Sequence, residues 1–539
     1  LNSYFAANEQ GFTLRMADLG LRIGEERWGK VQLGITRKVA DDTWQLSADQ
    51  FDVTPLVPLV TALAPLSENG RKIIETLQPH GKLNNLQLAF NPQAELARRL
   101  SFSANLDKVG FSAFEASPSV QNISGSVEGD IGHGVVHVDA EEFSLHLATL
   151  FPKPWVYTKV NGQFDWTWDD AGVTLRSPYL QAIGPEGKAG ADFIIRLLAD
   201  PEAEDYMDLR VGIREGDASY TSKYLPTRVP SFSPQLGKWL ADSIKGGAVS
   251  QGFFQYQGSI NHGSPSTAHN ISLFFDVDDA ELDYQPGWPA LSKAKAQVRV
   301  EDTGVRIDVA KGQILSSTVN DATANIALGV PGGDTHLLID GKLASNVADA
   351  MQILQDSPLP TAETFAGWKG QGALEGALKL DLPLQDMSKV VVQVDFSSKD
   401  SSLTIASPKL ELSKIKGDFN FDSRKGLSAD GLSARALGHT VTGKAIAGTP
   451  DGASNTLFDL KGKVALETLT QWLAFTQPIP ANGVIPYRLR INLGAQDSYL
   501  QVNSDLQGLA IDLPEPLGKP AASSSDAEFK MSLGTVPAT

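Results

Sequence analysis

The sequence predicts a mostly β chain of antiparallel strands, repeated with variation and interrupted by a few short helices. Three observations lead there. Apolar residues recur at every second position in run after run, glycine and Asp/Asn/Ser punctuate the runs, and helical periods are few and short. Period two sends alternate side chains to opposite faces of a strand, so each run has one apolar and one wet face. The 49 glycines fit tight connections between antiparallel neighbours, as at residues 170–172 and 303–304.

In chain order, alternation marks Leu19, Leu21 and Ile23, then Val31, Leu33 and Ile35, then Leu86, Leu88 and Phe90. It returns at Phe164, Trp166 and Trp168, at Phe419 and Phe421, and at Tyr487, Leu489 and Ile491. Helical spacing appears at Leu56, Leu59, Val60 and Leu63, opened by Thr54 as N-cap and Pro55 at the first helical position. Ser233 and Pro234 repeat that start signal before Leu236, Trp239 and Leu240. Val347, Met351 and Leu354 form a third stripe, and Leu466, Leu469 and Leu473 a fourth. Each helical segment then runs through a glycine into another alternating strand.

Those glycines, Gly81, Gly247, Gly372 and Gly483, recur with a period of roughly 110–165 residues. A second marker recurs alongside: TKVNGQF, SKAKAQV and SKIKGDF carry Lys159, Lys293 and Lys414, each followed by a turn glycine, Gly172, Gly304 and Gly426. The expected units are 1–80, 81–246, 247–371 and 372–482, each a β-repeat with a helical insert, and a strand segment 483–539. At 539 residues the chain exceeds one compact core, which stops growing near roughly 250–300 residues.

Composition removes several functions. A net charge of −17 leaves no basic footprint for nucleic acid and no polybasic handle for an anionic bilayer. The absence of cysteine excludes disulfides, thiolate metal sites and thiol nucleophiles, and suits an oxidising compartment. No run reaches the 18 apolar residues of a membrane span, and the chain opens at Leu1 without a signal sequence. It reads as an interior fragment or a processed chain, with any anchor outside it.

A sheet with one apolar face must cover that face. About four short helices cannot cover so many strands, so either sheets pack as sandwiches with dry cores, or one sheet curls around a guest. About 30 strands spaced ~4.8 Å apart would extend on the order of 140 Å. A continuous apolar interior of that kind suits a lipid, because each acyl CH₂ left in water costs about 0.8 kcal/mol.

The stretch YLPTRVPSFSPQLGKWLADSIKGGAVSQGFFQYQGSI at 224–260 resembles the YhdP branch of the AsmA-like proteins, with its Tyr-Leu-Pro, Trp-Leu helix, glycine and following strand. LQGLAIDLPEPLGKPA at 506–521 is similar to another signature of that branch, and the layout of 154–179, with Gly162, Phe164 and Trp166, is also alike. The resemblance implies an elongated, twisted and curled antiparallel β-sheet, a half-pipe groove lined with apolar side chains. It also implies a periplasmic protein tethered to the inner membrane of Gram-negative bacteria that moves phospholipid to the outer membrane. The alternative is a periplasmic scaffold assisting outer-membrane protein assembly, as the related TamB group is thought to do, with a carbohydrate-active β-protein a third reading. The two main readings differ in whether the apolar face must stay free of charge from repeat to repeat.

The expected groove lining is Leu86, Leu88 and Phe90, then Phe164, Trp166 and Trp168, then Phe254, Val298 and Val300. It continues through Leu378, Leu380, Phe419, Phe421, Leu489 and Ile491. No catalytic residue, cofactor or metal is expected. His137, Asp139 and Glu141, near His133 and His146, share a strand face that reads as wet surface rather than a metal site. The acidic run Asp276, Asp278, Asp279, Glu281 and Asp283 lacks the calcium-loop glycine. Gly370 and Gly372 miss the dinucleotide fingerprint, because Glu375 stands where the third glycine belongs. No Gly-x-Ser-x-Gly or His-Glu-x-x-His motif occurs.

Overall fold

The computed structural model describes residues 2–20, 22–23, 26–27, 29–40, 42–55, 68–114, 117–230, 232–261, 263–328, 335–358, 361–362, 365–386, 389–406, 409–448, 454–494 and 498–532. Among them, 29 strands belong to one open antiparallel sheet, and Arg22–Ile23 pairs with Glu26–Arg27 in a separate hairpin. The chain divides into two units, Leu1–Asp278 with Val298–Asp302, and Asp279–Gln297 with Thr303–Thr539. Within each, most strands pair with the one before and the one after; Gly11–Leu19 instead reaches past the hairpin to Val31–Lys38, and Ala481–Gly494 pairs with both Tyr499–Ser504 and Leu509–Ile511. Such a meander follows from short turns between antiparallel runs.

The sandwich alternative fails on burial. The accessible surface is 32545 Å², against about 19,000 Å² for a compact chain of 57.7 kDa and about 23,000 Å² for two compact halves. Among the described residues the largest fully buried side chains are only Val160 and Ser177. A closed core would bury Phe, Trp and Leu completely.

Four short helices are described: α1 (Glu68–Leu77), α2 (Pro234–Ser243), α3 (Val347–Asp356) and α4 (Leu466–Trp472). The helical pattern at Leu56, Leu59, Val60 and Leu63 lies outside the described residues. Ser233 caps α2 as expected, its side chain accepting from Leu236 N at 3.2 Å. None of these helices is long and apolar enough to cross a membrane. Gly81, Gly247, Gly372 and Gly483 all follow a helix with positive φ, from 103° to 144°. The run at Leu19, Leu21 and Ile23 is not one strand: Leu19 closes the strand Gly11–Leu19 just after Asp18 at positive φ, Ile23 sits in the hairpin, and Leu21 lies outside the described residues.

Eight strands separate α1 from α2. Six separate α3 from α4, counting Lys369–Gln371 and Ala373–Pro383 as one strand interrupted at Gly372. Because both numbers are even, the two helices of a unit leave the sheet from the same strand ends. Each insert is also tied to those ends. Ser112 N donates to Leu77 O of α1 at 2.7 Å. Asp349 of α3 accepts from Ser316 N, Ser316 Oγ and Ser317 Oγ in the turn joining two strands. Leu466 and Leu469 of α4 pack on the cluster of Val464, Ile485 and Leu509, as does Leu437, which sits in another such turn.

Before α2, the 3₁₀ segment Ala218–Tyr224 is held by a buried cluster. Glu186, in the hairpin between Gly172–Gly184 and Gly187–Leu198, pairs with Lys223 Nζ at 2.5 Å and accepts from Tyr224 Oη. Tyr224 Oη also lies 3.3 Å from Tyr157 Oη, and Trp155 Nε1 donates to Lys223 O at 3.2 Å. Burial pushes the Tyr157 hydroxyl up to about 12. Burial also raises the Glu186 carboxyl, but the hydrogen bonds from Lys223 and Tyr224 outweigh it and leave the group below its ordinary 4.5.

Bulges recur along the sheet. Register shifts fall between Leu106 and Val109, between Val138 and Ser144, and between Ser413 and Lys416, with Lys108, Glu142 and Lys414 at positive φ. Lys293 and Lys414 of the repeated marker are themselves left-handed residues. A bulge bends its strand and increases its twist, so repeated bulges curl a sheet.

Two predictions follow from this packing. A Cβ at Gly483, whose φ is 131°, would meet Gly508 O at 2.0 Å, whereas one at Gly431 meets nothing within 4 Å. Gly483→Ala should therefore destabilise by about 2–3 kcal/mol and Gly431→Ala by less than about 1 kcal/mol, read by urea unfolding. Equal losses would refute the close approach. Glu186→Gln strands a largely buried Lys223 charge and should cost about 3 kcal/mol. Since the folded pKa of Glu186 is lowered, its contribution is present above pH 4.5 and fades as pH falls through the folded value. The gap in stability between wild type and Glu186→Gln should close in acid; a gap independent of pH would show that the pair is not ionised.

Candidate functional site: an uncharged sheet face

Strand registers show which side chains share a face, since directly paired residues point the same way. In the first unit one row begins Phe5, Leu14, Ile35, Leu46, Leu88 and Phe102. It continues Gly129, Gly134, Trp166 and Leu175, and ends Ile195, Met207 and Gly258. Thirteen strands contribute, and every member is apolar or glycine. A parallel row on the same face runs Leu106, Gly125, Val138, Gly162, Leu180, Ala191, Val211 and Phe254. The glycines make room for neighbours: Trp166 lies over Gly134, where a Cβ would come within 2.1 Å of its ring, and stacks with Phe102 at 6.0 Å.

The second unit repeats the arrangement. Gly341, Leu378, Val394, Phe421 and Leu427 form one row, and Ile307, Ala324, Ile339, Leu380 and Val392 another. Phe396 and Phe419 are paired and stack at 4.8 Å. Further on, Ala429, Ala445, Phe458, Ile491, Leu500 and Met531 share a row, beside Leu432, Gly443, Leu460, Leu489, Val502 and Phe529.

Of the residues expected from the sequence, Leu86, Leu88, Phe90, Phe164, Trp166, Trp168 and Phe254 thus occupy one face of the first unit. Val298 and Val300 follow buried Ala294 and Ala296 at every second position of Leu291–Glu301, alternating with exposed Lys295 and Arg299. Leu378, Leu380, Phe419, Phe421, Leu489 and Ile491 share one face of the second unit. The sequence reading missed Val138, Leu180, Ala191 and Val211, whose rows include the glycines that interrupt an apolar count. It also missed Leu83 and Phe143, which pack into the buried clusters on the far side of bulges.

The opposite face is polar. Glu128, Val135, Asp165, Arg176, Ile194, Asp208 and Gln257 form one of its rows, and Asp308, Thr323, Asp340, Lys379, Gln393 and Asp422 another. Ion pairs such as Asp192–Arg210 at 2.6 Å and Asp459–Arg488 at 2.5 Å lie there. A hydrogen bond from Arg488 holds the Asp459 carboxyl below its ordinary range. On the apolar face Arg37 is paired with Phe12 and Trp44 near the strand ends, its guanidinium 5.2 Å from the Trp44 ring centre and bonded to Asp42.

The polar candidates lie on that wet surface or at strand entries. His137 is paired with Ser126 and Gln163, Asp139 is bridged to Lys159 at 3.4 Å, and Glu141 is exposed. Among the described residues no three His, Asp or Glu side chains are grouped to hold a metal. Gly372 sits at a strand entry, accepting from Val347 N at 3.0 Å.

The family model described as YhdP protein matches residues 2–535. The intermembrane phospholipid transporter YhdP of Escherichia coli (strain K12) is 22% identical over 501 residues, 89% of this chain. The chain spans 38% of that relative's length. No solved structure matches. With the family model covering nearly its whole length, the chain belongs to the YhdP protein family.

Proposed function

We propose that this chain is a section of a periplasmic conduit that moves phospholipid between inner and outer membranes along its apolar sheet face. One observation carries the reading: one row of the face, near the helix-free strand ends, is free of charge across 13 strands. A moving acyl chain needs that continuity, because a single buried charge without a partner costs several kcal/mol. A scaffold for outer-membrane proteins would act through sheet edges and does not require it. The relative's name, an intermembrane phospholipid transporter, supports the same cargo. Leu86, Phe164, Trp166, Phe254, Val298, Val300, Phe419 and Phe421 act as wall, with no catalytic step.

Phe421 and Asn420 provide the test, since Phe421 is paired with Val394 and Leu427 while Asn420 is paired with Asp395 and Ser428 on the other face. Photo-crosslinkers at 421 should capture phospholipid and those at 420 should not. Phe421→Arg should leave the sheet folded, because the side chain has room and its guanidinium can reach toward water. A residual cost of about 1.4 kcal/mol would weaken lipid binding about tenfold. Equal capture at the two positions, or an unfolded Phe421→Arg protein, contradicts the reading.

A further inference from the structure

The wet face of the second unit carries a cluster of cations that the net charge of −17 hides. Across the strands His439–Ala447, Asn455–Ala465, Ala481–Gly494, Tyr499–Ser504 and Ala527–Ser532, one row runs Lys444, Asp459, Arg490, Gln501 and Lys530. The next runs Thr442, Lys461, Arg488, Asn503 and Glu528, and Lys463 faces Pro486 beyond it. Lys461 therefore faces Arg488 directly, and like charges placed opposite each other destabilise a sheet. Other cations are neutralised within the chain: Asp192 faces Arg210, Asp340 faces Lys379, and Lys188, which faces Arg214, is bridged to Glu215 at 2.6 Å. Here the one carboxylate among the cations, Asp459, gives both oxygens to Arg488, at 2.7 Å and 2.5 Å. At the margin Glu528 accepts from Gln501 at 2.9 Å, and the Lys530 ammonium lies 4.8 Å from the Tyr499 ring centre. Asp505 and Asp526 line the far side of a shallow concavity that includes Lys461 and Lys463, with no ion pair across it. Among the described residues no ion pair is left to Lys444, Lys461, Lys463 or Arg490, and the three lysines are exposed.

We propose that this patch docks an extended acidic segment of a partner protein, with carboxylates at alternate residues. It uses the face away from the apolar rows, so it stands or falls independently of the conduit reading. Charge complementarity and spacing carry it. Carboxylates two residues apart in an extended chain are separated by about 6.8 Å, which is also the spacing of Lys461 from Lys463 along their strand. A carboxylate set between Lys461 and Arg488 turns their repulsion into attraction, and nothing in the described chain does so. Size decides between acidic partners. Exposed charges more than about 8 Å apart are largely screened at physiological salt, so a short segment senses only the patch. A bilayer or a nucleic acid is wide enough to meet the rest of a chain whose net charge is −17.

Two fluorescent peptides of the same composition test this on the full chain by anisotropy, one alternating Glu with Thr and one with all its Glu before its Thr. The alternating peptide should bind several-fold more tightly, and should weaken as salt rises. Lys461→Gln together with Lys463→Gln should weaken it about tenfold, whereas Lys379→Gln, at a neutralised site, should change it less than about twofold. The lysine pair's removal should not lower the melting temperature, because it relieves a repulsion. Equal affinity for the two peptides, binding indifferent to the lysine pair, or no binding overturns the proposal. A lower melting temperature also overturns it, by showing that the lysines serve the fold. Tighter, lysine-dependent binding to phosphatidylglycerol vesicles would make the patch a membrane contact instead. A dimer in sedimentation that the double substitution abolishes would make the occupant a second copy of this chain, and either result likewise overturns the proposal.

Discussion

Everything in this structure depends on a register that never lets the apolar face change sides. In a pleated strand a slip of one residue moves every side chain to the opposite face. Across the first unit one row nevertheless stays apolar or glycine from Phe5 to Gly258. The polar rows on the other side carry the charges and their ion pairs. Exposed pairs of this kind add little stability, so their worth lies in keeping that face wet and the register unambiguous.

The bulges are the places where this rule meets its exceptions. An extra residue would reverse the face of all that follows, unless the neighbouring strand changes phase with it. That is what happens around Glu142: Phe143 is paired with Tyr157, and both pack on the cluster built by Val138, Ala140 and Val160. The bulge thus bends the strand without losing the apolar side. The helical inserts obey a related constraint. Even numbers of strands between them return the chain to the same strand ends, where Asp349, Glu186 and Leu437 provide anchors. Burial of Asp349 raises its carboxyl, but hydrogen bonds from Ser317 and Ser316 more than reverse that, so the anchor stays charged.

Much of this was legible in the sequence because period two is visible wherever the residues are large. Leu86, Leu88 and Phe90, Trp166 and Trp168, and Phe419 and Phe421 announce their face by size alone. The capping pair Ser233 and Pro234 marked α2, and the glycines after the helices marked the strand entries. Two kinds of residue stayed hidden. Gly125, Gly129, Gly134 and Gly162 carry the apolar rows but add nothing to an apolar count, since glycine has no side chain to alternate. Residues beyond a bulge, such as Leu83 and Phe143, alternate in the opposite phase, and a single inserted residue leaves no compositional trace. The choice between a sandwich and a curled sheet was likewise open, because both bury alternate residues; only the lack of fully buried large side chains separates them.

The structure thus joins three levels: alternation gives amphipathic strands, register aligns them within each unit into an apolar face, and a single layer leaves that face available to a guest. Native mass spectrometry of the purified 539-residue chain tests the last link most directly. The account predicts charge-state series displaced by whole phospholipid masses, removed by detergent washing and restored by incubation with phospholipid vesicles. A chain that carries only its own mass, before and after such incubation, would contradict it.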